Sequence, residues 1–78
     1  MVSIVGPSPS RVYLEIRIDQ GIGYLTRNPS VGELVGIEIN PQLPLRLSAS
    51  EVGDLCTQAW YGSADTIGAS FSWIETLR

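Results

Sequence analysis

The chain has no histidine and no lysine. Each absence removes a kind of chemistry. Histidine is the side chain whose ordinary pKa lies near neutrality, so its general-base role has no bearer here. Without lysine there is no Schiff-base amine and no ammonium for a phosphate cradle. A single cysteine, Cys56, rules out a disulfide within the chain. Charged residues make up 17% of the sequence, against about 25% in an average soluble domain. No apolar run approaches the roughly 20 residues of a membrane-spanning helix. The opening MVSIVGPSPS has neither a basic region nor a long apolar core, so no export signal is visible and the expected compartment is the cytoplasm.

The charge that is present is mildly acidic. All five cations are arginines (Arg11, Arg17, Arg27, Arg46 and Arg78), set against eight carboxylates for a net charge of −3. That balance argues against a general nucleic-acid binder, whose affinity comes from neutralising phosphates. It argues equally against an anionic membrane surface. The 78 residues suit one small domain spanning 1–78, with 1–10 as an extended lead-in. A domain with so few charges has little polar surface to cover it, and apolar surface left over is commonly an interface. The expected partner is therefore another protein or a second copy in a homodimer.

Alternation dominates the pattern. In Arg11–Asp19, Val12, Leu14, Ile16 and Ile18 point one way and Tyr13, Glu15, Arg17 and Asp19 the other, the period of a half-buried strand. Gln20-Gly21 reads as a turn, with residues 22–27 returning as a second strand. Residues 34–40 give a third, in which Gly36 marks a bulge or a close backbone approach. Residues 43–47 give a fourth, short or at an edge because of Pro44. Pro7 and Pro9 leave only Val2–Val5 free to pair near the start.

Ser48-Ala49-Ser50-Glu51 fits a capping box. Val52, Leu55, Cys56, Ala59 and Trp60 follow at helical spacing, so the sequence predicts a helix over 49–61 ended by Gly62. The last segment fits either period, and its Ser, Thr, Phe and Trp content favours a fifth strand. The predicted fold is a two-layer α+β domain in the order β-β-β-β-α-β. It is a mostly antiparallel four- to five-stranded sheet with one helix packed on its apolar face.

Each candidate for chemistry has a plainer explanation. Gly21-Ile22-Gly23 lacks the third glycine, the lysine and the following helix of a phosphate loop, and reads as a hairpin turn. Glu15, Asp19 and Glu38 could gather on the wet face as cation ligands, but Arg17 beside them makes ion pairing the simpler account. Ser48 and Ser50 have no base to activate them. Cys56 lies on the apolar helix face as a small hydrophobe. Trp60 and Trp73 are expected to meet in the core.

No catalytic, cofactor or metal residue is assigned, and the chain is read as a non-enzymatic protein-interaction module. A small inhibitor or accessory subunit of a larger complex, of the kind a virus encodes, suits its size and acidity. The interface candidates are Tyr13, Arg17, Arg27, Arg46 and Tyr61, because outward tyrosine and arginine are enriched at binding hot spots. The alternative is single-stranded nucleic acid laid on an arginine- and tyrosine-bearing sheet face.

Overall fold

Strand alternation, rather than helical spacing, governs nearly the whole chain. The computed structural model describes all residues 1–78. Its strands are β1 (Val2–Val5), β2 (Arg11–Ile18), β3 (Gly23–Thr26), β4 (Ile37–Ile39), β5 (Leu45–Ser48), β6 (Trp60–Ala64) and β7 (Phe71–Leu77). They form two antiparallel sheets in place of the single predicted one. One has four strands in the order β1-β6-β3-β4 and the other three in the order β5-β2-β7. One helix, α1 (Ala49–Val52), completes a mixed α+β chain.

Both sheets feed one apolar core. Leu14, Ile16 and Ile18 of β2 and Leu47 of β5 enter it from the three-stranded sheet. Ile4 and Val5 of β1, Leu25, Ile39 and Trp60 enter from the other. The 1–10 segment is thus not a mere lead-in, since β1 pairs with β6 and places two side chains in the core. The Phe71 ring reaches across from β7 into space that Gly23 and Gly62 leave open. A Cβ on either glycine would come within 2.8 or 2.9 Å of that ring. The radius of gyration, 11.8 Å, is close to the roughly 11.5 Å that chain length implies for a compact unit.

The predicted long helix is cut short. After α1, Gly53 adopts φ +60° and a 3-10 turn follows over Gly53–Cys56. Residues 60 and 61 then extend as the start of β6. Trp60 is 2% exposed in the core, with its indole N–H donating to the Leu55 carbonyl at 3.2 Å. Burying that ring and pairing the segment with β1 and β3 outweighs a helix already weakened by Gly53. Gly62 is accordingly a mid-strand residue, not a helix stop. The capping box is also absent, because the Ser48 hydroxyl meets the Ser50 hydroxyl at 2.8 Å instead of the Glu51 amide.

Turn chemistry holds while pairing does not. Gly21 takes the left-handed φ of +71° expected of a turn. Yet β2 and β3 on either side of it join different sheets, so no hairpin ladder forms. Gly36 is the close approach its position suggested: φ is +132° and a Cβ there would lie 2.1 Å from the Leu25 carbonyl oxygen. The last segment is the predicted strand, β7.

Candidate functional site

Two polar clusters and one bare strand edge are the features that sheet geometry builds. The first cluster centres on Arg11, which is only 1% exposed. A bulge between Arg11 and Tyr13 shifts the register against β7 and turns this side chain inward. Its Nε donates to Glu75 Oε2 at 2.8 Å. Nη1 donates to the carbonyls of Cys56 and Gln58, both at 3.2 Å, and Nη2 to the Gly6 carbonyl at 2.7 Å. One guanidinium thereby ties the β1–β2 connection, the 3-10 turn and β7 together. Every buried polar side-chain atom has a partner.

The second cluster lies on the outward face of the three-stranded sheet. Glu15 is 5% exposed beneath its neighbours. Its carboxylate accepts from Arg46 Nε and from the Tyr13 hydroxyl, each at 2.9 Å, and from Arg17 Nε. These bonds, Arg46 first, lower the Glu15 pKa from 4.5 to about 2. The same contact raises the Tyr13 pKa above its ordinary value. A carboxylate held ionised this firmly is a weak general base near neutral pH.

The interface candidates separate accordingly. Tyr13, Arg17 and Arg46 come together around Glu15. Arg27 lies apart, just beyond β3, with Nη1 on Gln58 Oε1 at 3.1 Å. Tyr61 sits in β6 of the other sheet, half-buried. The carboxylate trio disperses as well. Asp19 accepts from the Ser70 amide at 2.6 Å, Glu38 lies in β4, and no group of three or more metal-ligating side chains exists in the chain. Cys56 is fully buried, and burial raises its thiol pKa.

A cavity of about 210 Å³ opens between Met1, Val2, Gly62, Ala64 and Phe71, smaller than the roughly 300 Å³ at which small-molecule sites begin. Glu33 at its rim is taken by the terminal ammonium at 2.9 Å. Beside it, Leu34 holds a left-handed φ of +58° and donates its amide to the Ser63 hydroxyl at 2.8 Å.

The strand edge was missed from sequence. β7 closes one side of its sheet and pairs only with β2. Residues 72–77 are all exposed. Trp73, Ile74 and Leu77 remain 46%, 56% and 54% exposed, so Trp73 is an edge residue and not a core partner of Trp60. The other three edges are guarded. β1 has four residues and runs into Gly6-Pro7, β4 has three and is followed by Pro41, and β5 has four, preceded by Pro44 and carrying Arg46. β7 has seven residues and no proline. Its one charged side chain, Glu75, turns to Arg11. Long, apolar, uncharged edges are the kind that pair with another chain. No helix is long and apolar enough to cross a membrane. No family model, curated protein or solved structure matches the chain.

Proposed function

We propose that the protein is a non-enzymatic interaction module, of the inhibitor or accessory-subunit kind, whose open β7 edge is covered by a protein partner, either another chain or a second copy of itself. The unguarded edge carries this reading. It offers unpaired backbone groups for strand addition and half-exposed Trp73, Ile74 and Leu77 for specificity. Aromatic side chains of this kind anchor interfaces.

The nucleic-acid reading draws on Tyr13, Arg17 and Arg46. It is the weaker one, because Glu15 already engages all three side chains and Arg27 lies elsewhere. The test is a pull-down from native extract with the full chain and with Ile74→Lys. A stoichiometric protein captured by the first and lost by the second supports the reading. Capture unchanged by the substitution, or no stoichiometric protein from a chain that is also monomeric at high concentration, overturns it. Fluorescence anisotropy with a labelled oligonucleotide at low salt should show no binding at tens of micromolar.

A further inference from the structure

We infer that the occupant of the β7 edge is a second copy of β7, antiparallel across a two-fold axis at Ile74, joining two three-stranded sheets into one of six. The inference rests on the interaction reading and names its partner. Ile74 is the midpoint of Phe71–Leu77, so a two-fold there gives the greatest overlap. Ile74 then opposes its own copy, Ser72 opposes Thr76, Trp73 opposes Glu75 and Phe71 opposes Leu77.

Each of these pairs is compatible. The outward face of the sheet carries Ser72, Ile74 and Thr76, the residues paired with Arg17, Glu15 and Tyr13 of β2. Isoleucine would meet isoleucine and hydroxyl would meet hydroxyl, pairings that stabilise antiparallel strands. Glu75 is the one charge on the strand, and it does not face its own copy. Its carboxylate is already neutralised by the buried Arg11 guanidinium. Two such edges therefore meet without like-charge repulsion, and each brings only a neutralised ion pair under the Trp73 ring of the other.

The area is modest. At about 200 Å² per large side chain, the exposed fractions of Trp73, Ile74 and Leu77 leave roughly 300 Å² free on each chain. Two copies have at most roughly 600 Å² to bury through these residues, and the part that lies on the sheet faces stays wet. The contact therefore belongs with interfaces below about 1,000 Å², held mainly by the new backbone ladder. β1 comes near β7 but forms no ladder with it, and residues 72–77 stay exposed. A closed two-fold also uses up both edges, so pairing stops at two copies.

Sedimentation equilibrium of the full chain at tens of micromolar should return twice the single-chain mass of 8.5 kDa. Ile74→Lys should return the single-chain mass with an unchanged circular dichroism spectrum. The new ammonium is tolerated within one chain, where it stands across from Glu15, but faces its own copy in the dimer. Under mild oxidation, Ile74→Cys should form a covalent dimer and Ser72→Cys should not, since only position 74 meets itself. A wild-type chain that stays monomeric at 100 µM overturns the self-pairing, and the pull-down then decides separately whether another protein uses the edge. A dimer that survives Ile74→Lys, or that cross-links through position 72, overturns the proposed edge and register.

Discussion

Replacing Arg11 with alanine removes the one side chain that links three separate segments. The guanidinium is 1% exposed and makes four hydrogen bonds, one to Glu75 and three to backbone carbonyls. Truncation leaves the Glu75 carboxylate without its cation and the carbonyls of Gly6, Cys56 and Gln58 without their donor. Removing one member of a buried ion pair costs about 3–5 kcal/mol. The Glu75 side chain is 32% exposed, so water recovers part of its loss. Of the three orphaned carbonyls only that of Cys56 is fully buried, and it adds about 1 kcal/mol or more unless water enters. The expected total is about 3 kcal/mol. A 78-residue chain has roughly 4–12 kcal/mol of stability in all, so the variant should keep only roughly 1–9 kcal/mol and unfold at a clearly lower urea concentration. Urea unfolding followed by tryptophan fluorescence reads this directly. Arg11→Lys should fall between, since one ammonium keeps the charge but cannot span four acceptors. Glu75→Gln keeps an acceptor for Nε but leaves the buried guanidinium without its counter-charge, so it should cost about 2–3 kcal/mol. If Arg11→Ala lowers stability by less than about 1 kcal/mol, the clamp is not what holds these segments together.

Further outcomes follow from individual contacts. Glu15 has its pKa lowered from 4.5 to about 2 in the folded chain, so the stability it contributes is complete above pH 4.5 and disappears as the pH falls towards 2. The urea midpoint should drop across that window, and Glu15→Gln should flatten the drop; an unchanged slope would contradict the assignment. Gly36→Ala should destabilise by at least about 2 kcal/mol in thermal or urea unfolding, because φ is +132° and the Leu25 carbonyl stands in the way. Gly6→Ala, with nothing within 4 Å and no positive φ, is the matching control and should stay within about 0.5 kcal/mol.

Strands were legible in the sequence where alternation was clean. β2, β3, β4, β5 and β7 all fall within or close to the segments that the pattern marks. Pairing was not legible. Consecutive strands usually lie side by side, yet here only β3 and β4 do so, and every other connection passes between the sheets. The cause lies in tertiary packing that no local pattern encodes. Gly23 and Gly62 look like turn or stop residues but make room for Phe71. Trp60 fits a helix face by spacing and is instead drawn into a strand by burial.

The outward Tyr13–Arg17–Arg46 group could be read from period two, because those residues share one sheet face. Arg27 and Tyr61 could not be placed without the sheet order. Arg11 escaped notice because a bulge, invisible in composition, reverses its side. The β7 edge escaped notice because Trp73 and Leu77 alternate as core residues do, and only the missing neighbour strand leaves them exposed.

The central claim is that β7 is the edge that a second copy of the chain covers. Amide hydrogen exchange measured by mass spectrometry, on the full chain from below 1 µM to hundreds of micromolar, tests it most directly. The account predicts that amides within residues 71–77 gain protection as concentration rises, while β1, β4 and β5 exchange at a constant rate. Exchange in β7 that is independent of concentration, or protection gained at a proline-guarded edge instead, would contradict it.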